Sequence, residues 1–238
     1  MESLNNNINI DFVLIEPKLP QNVGAAARAI KTMGFRNLVI VNGCKADDIR
    51  AKWLAVGSSD IIENTLQIDN FSEIKNQYDL IIGTSAKNRK KTYNIIQIDK
   101  LKNLIIEKQK ILSRIAILFG NESYGLSNSL LSYCDIVTTI PSKTAYPSLN
   151  LAQSVMLYAY ELSEIKIENT DSYNEKKSYK EIKDKISRLL SDLEIYNNTS
   201  IYNRIFEELA TMNDKQINIL HYICNKLTDK ISNNSGKK

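Results

Sequence analysis

Three loops in this 238-residue chain combine glycine with polar or charged residues in patterns suited to ligand binding or catalysis. The first runs from Pro17 to Arg28. Asn22 is predicted to cap a helix there, and Gly24 leaves the first turn bare enough for a phosphate or a ligand backbone to approach. Three alanines before Arg28 leave its guanidinium room to reach outward. The pattern predicts an anion-binding helix start, but an ordinary helix with an Asn cap and an exposed arginine has the same residues.

The second loop follows an apolar run that ends before Gly83. The backbone groups of residues 83–86 could face a cofactor, because the small side chains of Gly, Thr and Ser leave the main chain accessible. Directly after them comes the densest positive charge in the chain, formed by Lys87, Arg89, Lys90 and Lys91. Such a cluster predicts either phosphate contacts or a solvated basic loop.

The third loop places Glu122 between Gly120 and Gly125, directly after another apolar run. Two glycines alone would indicate only a turn. A carboxylate held between them in a tight loop is instead a candidate for a reacting or positioning group.

A fourth segment joins a strand to a buried helix. The strand ends near Ile140, and a polar loop through Pro147 leads to a helix that we predict to begin at Ser148, with Asn150 inside its first turn. Apolar residues at helical spacing predict a core face. They are Leu149, Ala152, Val155, Met156, Ala159 and Leu162. The polar start of this helix is predicted to face a ligand.

These loops need a scaffold, and the chain provides it in five apolar runs of strand length. The runs are residues 11–15, 37–41, 79–82, 115–119 and 135–140. Their apolar residues are continuous rather than alternating, which predicts strands buried on both faces of a parallel sheet. Helical patterns at about 22–33, 46–56, 97–110 and 126–132 separate them, which favours an α/β fold. Because ligands bind beyond the carboxyl ends of such strands, we expect the loops to meet at one edge.

Composition narrows the class of protein. The net charge of +4 permits a polyanionic partner without requiring one, and no apolar run approaches the roughly 20 residues that span a bilayer. Cys44, Cys134 and Cys224 fit neither a disulfide framework nor a zinc cluster. We therefore expect a cytoplasmic protein with no membrane partner and no metal. His221, the single histidine, falls on a C-terminal helical pattern and is expected to be a surface or packing residue.

The texture of the chain changes after about residue 166. Residues 167–178 have almost no apolar side chains and predict a linker between a first domain, 1–166, and a helical C-terminal extension, 179–238. Amphipathic patterns near 179–194, 200–211 and 214–231 predict the helices of this extension. Residues 168–238 hold 12 Lys and Arg against 11 Asp and Glu, so the extension is not a basic arm. A dimer or partner contact and a direct RNA contact both stay open for it.

Together, the loops resemble the three motifs of the SPOUT RNA methyltransferases, specifically those of the SpoU, or TrmH-like, branch. The matching segments are 22–28, 119–126 and 140–152, in this order along the chain. Further segments at 31–34, 83–86, 148–153 and 158–162 look most like the TrmJ group of that branch. The resemblance covers about residues 10–162, and a helical C-terminal extension is also typical of the TrmJ group.

The resemblance implies an α/β fold with a parallel sheet and a deep C-terminal trefoil knot, one of the rare exceptions to unknotted topology. It also implies a homodimer with the RNA site across the interface, and S-adenosyl-L-methionine as the cofactor. The residues that match the cofactor pocket by position are Thr84, Ser85, Ala86, Gly120, Ile140, Ser148 and Leu149. The residues that match the catalytic motif positions are Arg28, Glu122 and Asn150.

The reaction implied by the TrmJ group is methylation of the ribose 2′-hydroxyl of cytidine or uridine 32 in the anticodon loop of tRNA. Ribosomal RNA as substrate and a catalytically inactive RNA-binding member are the alternatives. Because a guanidinium stays protonated in proteins, we expect Arg28 to bind phosphate and stabilise a developing alkoxide rather than to act as a base. We expect Glu122 and Asn150 to shape the loops. The expected RNA contacts are Arg28, Lys87, Arg89, Lys90 and Lys91.

Overall fold

A computed structural model describes residues 8–86, 95–143, 148–165, 179–196 and 200–235 of the chain. Within these ranges, the strands are β1 Asn9–Ile15, β2 Asn37–Val41, β3 Leu66–Ile68, β4 Leu80–Thr84, β5 Ile95–Gln97, β6 Arg114–Phe119 and β7 Ile136–Thr139. The helices are α1 Pro20–Thr32, α2 Ile49–Leu54, α3 Ser59–Glu63, α4 Ile98–Glu107, α5 Asn128–Leu131, α6 Leu151–Ser163, α7 Tyr179–Asp192, α8 Ser200–Thr211 and α9 Asp214–Ser235. Strands and helices alternate through the first part, as predicted.

The strands form one sheet in the order β3-β2-β1-β6-β4-β7-β5, and every strand pair is parallel. The predicted parallel α/β sheet is therefore confirmed. Strand β6 lies between β1 and β4, and β7 lies between β4 and β5, so late strands are inserted between earlier ones. The edge strands β3 and β5 were not predicted, because each has three residues and none of these is fully buried.

Apolar side chains cover both faces of the sheet. Along β6, Ile117 and Phe119 face the cluster beneath α1 and α6, whereas Ala116 and Leu118 face the cluster on the other side. Burial of one such large side chain stabilises the fold by about 1.5–3 kcal/mol. The continuous apolar runs of the sequence are explained by this two-sided burial.

Two helices begin elsewhere than predicted. Helix α1 starts at Pro20 with Leu19 as its N-cap, so Asn22 lies within the first turn and is not the cap. Proline is favoured at the first helical position because its fixed φ suits the helix and it has no N–H to leave unpaired. Helix α6 starts at Leu151 with Asn150, not Ser148, as its N-cap.

The predicted core face of α6 is only partly correct. Ala152, Val155, Ala159 and Leu162 are buried, as expected. Leu149 and Met156 are 41% and 37% exposed, and Leu151 and Tyr158 are buried in their place. The helix is therefore turned so that one apolar stripe faces outward.

The C-terminal helices pack on the sheet domain at the amino-terminal ends of its strands. The N–H of Tyr179 donates to the Ile111 carbonyl at 3.2 Å. Lys183 Nζ lies 2.6 Å from Asp135 Oδ1, next to the start of β7. The buried Lys108 donates from Nζ to the Met212 carbonyl, at the turn between α8 and α9. The predicted linker, 167–178, lies outside the described residues.

None of the helices among the described residues is long and apolar enough to cross a membrane. The described residues also contain no cluster of three or more His, Cys, Asp or Glu side chains arranged to hold a metal ion. His221 is fully buried on α9, in the packing position that was one of its two expected settings.

Candidate active site

The predicted loops meet at one edge of the sheet. Residues 16–19 follow β1, residues 120–125 follow β6, residues 85–86 follow β4, and residues 140–143 follow β7. These four strands are neighbours in the sheet and all are parallel, so their carboxyl ends lie side by side. This edge is where open α/β sheets bind ligands.

Glu122 joins the loop after β6 to the start of α1. Its Oε2 accepts a hydrogen bond from the N–H of Lys18 at 3.1 Å, and its Oε1 accepts from the N–H of Leu19 at 3.3 Å. Oε1 also accepts from Asn22 Nδ2 at 2.8 Å. The carboxylate therefore fixes two loops that are about a hundred residues apart in sequence.

The surroundings of Glu122 favour its ionised form. Partial burial by itself would raise the pKa of this carboxyl, but hydrogen bonds from the Asn22 amide and from the Lys18, Glu122 and Leu19 N–H groups outweigh it. The pKa of Glu122 therefore lies below its ordinary value. A carboxylate with a lowered pKa and several donors is a weak proton acceptor, which suits a positioning role.

Asn22 links Glu122 to the start of α6. While its Nδ2 donates to Glu122, its Oδ1 accepts a hydrogen bond from Asn150 Nδ2 at 2.9 Å. Asn150 Oδ1 accepts from the N–H groups of Ala152 and Gln153 at 2.9 and 3.4 Å, and Gln153 Oε1 accepts from the Asn150 N–H at 3.2 Å. One continuous chain of hydrogen bonds thus runs from the β6 loop through α1 to the cap of α6.

The loop after β6 is closed tightly around its glycines. A Cβ atom on Gly120 would lie 2.0 Å from the Gly125 carbonyl carbon, and Gly125 itself has φ +71°. Asn121 Oδ1 accepts from the N–H groups of Ser123 and Tyr124 at 3.0 and 2.8 Å. These contacts hold Glu122 in a fixed position, so the two glycines mark more than a surface turn.

Gly24 has a packing role and does not leave a bare surface. A Cβ atom at this position would lie 2.0 Å from the Ala51 carbonyl oxygen, because α1 and α2 approach each other closely here. The prediction of a ligand-accessible first turn is therefore wrong for Gly24. The close approach also explains why alanines follow it along the buried side of α1.

The residues that match the family's cofactor positions lie around the ends of β4, β6 and β7. Thr84 Oγ1 donates to the Leu118 carbonyl at 2.9 Å, and the Ser85 N–H donates to the Thr138 carbonyl at 2.9 Å. Thr84, Ser85, Gly120 and Ile140 are partly exposed, and Ala86, Ser148 and Leu149 are exposed. These seven residues are therefore at least partly accessible to solvent.

Arg28 does not join the hydrogen-bonded chain. It is exposed on α1, six residues after Asn22, which places it about 9 Å further along the helix and about 240° around it. Its Cα therefore lies on a different face of α1 from that of Asn22. The other predicted RNA contacts, Lys87, Arg89, Lys90 and Lys91, lie outside the described residues.

The role of Asn22 as a link was missed in the sequence. Its position near a helix start suggested a cap, whereas its side chain is buried and uses both its amide donor and its amide acceptor. The sequence alone does not show which loops adjoin this side chain, so its two partners could be identified only from the fold.

The family model described as "SpoU rRNA Methylase family" matches residues 9–160 of the chain. The uncharacterized tRNA/rRNA methyltransferase LasT of Escherichia coli (strain K12) is 30% identical over 227 residues, which are 94% of this chain and 100% of that protein. The tRNA (cytidine/uridine-2′-O-)-methyltransferase TrmJ of Sodalis glossinidius (strain morsitans) is 38% identical over 154 residues. That match covers 65% of this chain and 60% of the relative, so the chain spans about three fifths of that protein's length.

A solved structure shares the fold across nearly the whole chain. The crystal structure of TrmJ from Z. mobilis ZM4 superimposes with a TM-score of 0.64 at 21% sequence identity. The superposition covers 92% of this chain and 98% of that one. The likeness therefore includes C-terminal helices as well as the sheet domain.

Proposed function

Because the chain belongs to the SpoU rRNA methylase family and is an S-adenosylmethionine-dependent RNA methyltransferase, we propose that it methylates ribose 2′-hydroxyl groups of tRNA. The relative from Sodalis glossinidius is named for this reaction, and LasT is named for tRNA or rRNA. The observation that carries the proposal is the hydrogen-bonded chain from Glu122 through Asn22 to Asn150. It unites the three family motifs at the ligand-binding edge of the sheet.

The residues at the ends of β4, β6 and β7 fit S-adenosylmethionine. Ile140 and Leu149 offer apolar surface for an adenine, and we place its polar edges beside residues 84–86 and Gly120, which are partly or fully exposed at the ends of β4 and β6. We assign the cofactor site to Thr84, Ser85, Ala86, Gly120, Ile140, Ser148 and Leu149. When bound there, the cofactor supplies an activated methyl group on a sulfonium.

The three catalytic-motif residues divide into two roles. Glu122 and Asn150 hold the loops that enclose the reacting groups, since their polar atoms are already engaged within the protein. Arg28 is exposed and positively charged, so it is suited to bind an RNA phosphate and to stabilise negative charge that develops on the ribose oxygen. The proton of the hydroxyl then passes to the phosphate or to solvent.

Arg28 is exposed and takes no part in the hydrogen bonds that join Glu122, Asn22 and Asn150, and this supports a homodimer in which it serves the partner's site. The outward stripe of α6 consists of Met156, Leu157 and Tyr160, and Leu149, just before the N-cap, is also exposed; these side chains are 37–56% exposed. An exposed apolar stripe of this kind marks a protein interface. We assign it to a second copy of the chain.

Several finer points of the proposal rest on the family resemblance. The trefoil knot is proposed from the family resemblance, and the insertion of β6 and β7 between earlier strands is compatible with it. Arg28 and the basic cluster at 87–91 are proposed to contact the RNA. We propose a cytoplasmic enzyme with a methyltransferase domain at residues 1–166, followed by a linker and a C-terminal extension. The proposed target is cytidine or uridine 32 of the anticodon loop.

Mass mapping of ribose methylation in tRNA from cells with and without the protein tests the substrate. We expect one 2′-O-methyl group, at position 32, to disappear when the protein is absent. In vitro, an unmodified tRNA transcript should accept a methyl group, whereas the same tRNA with a 2′-deoxyribose at position 32 should not. Transfer to ribosomal RNA alone would replace the tRNA assignment, and cofactor binding without turnover on either RNA would indicate an inactive RNA-binding member.

A further inference from the structure

Tyr124 stands out beside the candidate active site because its large aromatic side chain is 71% exposed. It lies two residues after Glu122 in the loop that follows β6. The ammonium group of Lys18, from the loop that follows β1, lies 5.4 Å from the centre of its ring. An aromatic ring and a cation are thus presented together at the ligand-binding edge of the sheet.

The fold holds this pair in place through Glu122. The N–H of Lys18 donates to Glu122 Oε2, and the N–H of Tyr124 donates to the Asn121 side chain in the same loop. The Gly125 N–H donates to the Asn121 carbonyl at 3.0 Å and closes the loop. The backbones of Lys18 and Tyr124 are therefore both fixed while their side chains extend outward, so little ordering entropy would be lost when a ligand binds.

We propose that Tyr124 stacks on an unpaired nucleobase of the RNA substrate and that Lys18 contacts the adjoining phosphate. This inference rests on the proposed function, and it adds the residues that hold the nucleotide next to the target ribose. Every nucleobase offers a flat π-face to an aromatic side chain, and a lysine beside the ring adds the charge that a phosphate requires. The pair therefore favours single-stranded loop RNA over a duplex, whose bases are already stacked.

The chain contains a matched control pair at the opposite ends of the strands. Tyr133 is 37% exposed, and Lys75 Nζ lies 4.3 Å from the centre of its ring. Tyr133 precedes β7 and Lys75 precedes β4, so this pair lies at the amino-terminal ends of the strands. It has the same chemistry but is remote from the candidate active site.

The test measures binding of the full-length protein to a fluorescein-labelled anticodon stem-loop by anisotropy, with a fully paired RNA duplex of equal length for comparison. Tyr124→Ala should weaken stem-loop binding by about fivefold or more, because stacking on one base contributes roughly 1–3 kcal/mol. Duplex binding and S-adenosylmethionine binding should be unchanged. Tyr133→Ala should bind both RNAs as the wild type does, and Lys18→Ala should weaken binding with a smaller salt dependence.

A second variant reports on stacking directly. Tyr124→Trp should retain stem-loop affinity, and its indole fluorescence should be quenched by the stem-loop after subtraction of the signal of Trp53, the one native tryptophan. Wild-type affinity in Tyr124→Ala, or equal losses in Tyr124→Ala and Tyr133→Ala, would overturn the inference.

The outcomes separate this inference from the proposed function. If the wild type methylates tRNA and Tyr124→Ala does so with unchanged affinity, stacking is wrong and the proposed function stands. If stem-loop binding depends on Tyr124 but no RNA is methylated, stacking stands and the proposed function is wrong. If Tyr124→Ala converts dimers to monomers, and the dimers that remain bind the stem-loop as tightly as the wild type does, the ring belongs to a protein interface. The inference is then wrong.

Discussion

The side-chain amide of Asn22 donates a 2.8 Å hydrogen bond to Glu122, a residue 100 positions later in the chain. The same amide accepts from Asn150, so one side chain of α1 joins the loop after β6 to the cap of α6. Each of the three residues comes from a different family motif. Together the three residues fix the positions of their loops, because a methyl-transfer site must hold its parts in a fixed arrangement before the reaction.

We predict that Glu122 and Asn150 are energetically coupled although they do not touch. Asn150→Ser keeps an oxygen that can cap α6 but is too short to reach Asn22. The substitution therefore removes the hydrogen bond to Asn22 and keeps the helix cap. The double variant with Glu122→Ala should depart from additivity by about 0.5–3 kcal/mol in the free energy of unfolding. Urea denaturation of the four proteins measures this difference. The coupling should vanish in an Asn22→Ala background, and Glu122→Ala with Asn37→Ala, at a remote site, should be additive.

The lowered pKa of Glu122 makes a prediction about acid stability. A carboxyl with a folded-state pKa below its unfolded value stabilises the fold above the unfolded pKa, near 4.3, and this stability is lost as the pH falls through the folded pKa. Glu122→Gln leaves backbone donors facing an amide and should cost about 1–3 kcal/mol at pH 7. The deficit measured by urea denaturation should shrink on acidification below pH 4. Glu164→Gln, at an exposed ion pair with Lys102, is the control and should cost much less, because solvent screens exposed ion pairs. A deficit that stays constant with pH would contradict the prediction.

Much of the fold was predictable because burial on both sheet faces leaves continuous apolar runs. Strands β1, β2, β4, β6 and β7 follow from those runs within two residues at their ends. Strands β3 and β5 did not, since three-residue edge strands bury too little to pattern the sequence. The order of the strands also could not be read, because nothing in a single strand's composition specifies its neighbour.

The candidate site, like the fold, was only partly predictable from the sequence. Glu122 and Asn150 were identified from their loops and from the family resemblance, whereas the link through Asn22 depends on a contact across a hundred residues. The exposed stripe with Leu149 and Met156 was mistaken for core, because apolar spacing shows that a helix has an apolar face but not what covers it. The burial of Lys108 could not be predicted from the sequence, because lysine is almost always exposed.

Arg28 should be required for methyl transfer as a fixed charge rather than as a base. Arg28→Lys keeps the charge but loses the forked donors that grip a phosphate, so we expect the single-turnover rate to fall at least tenfold. Below about pH 9 the pH dependence of that rate should keep its shape, because arginine does not titrate in this range and the introduced lysine loses its proton only near pH 10.4. Single-turnover methyl transfer to tRNA between pH 6 and 10 measures both. A basic limb that is present in the wild type and absent in Arg28→Lys would show that Arg28 acts as the base. Arg36→Lys, at an exposed arginine just beyond α1, is the control.

Lys108 should make the stability of the protein rise with pH in the alkaline range. Burial lowers its pKa from 10.5 to about 8, although the nearby Asp214 and Glu107 partly oppose this. Between those two values the unfolded chain holds more protons than the folded one, so the free energy of unfolding increases with pH, by at most about 1.4 kcal/mol per pH unit.

Lys108→Met should be less stable overall, since the Met212 carbonyl loses its donor, and its stability should vary less between pH 8 and 10. Urea denaturation at pH 7, 8, 9 and 10 should therefore show a gap between wild type and variant that widens with pH. Lys110→Met, at an exposed lysine two residues away, should run parallel to the wild type. A gap that stays constant or narrows would mean that Lys108 titrates normally and that its buried ammonium is fully compensated by its neighbours.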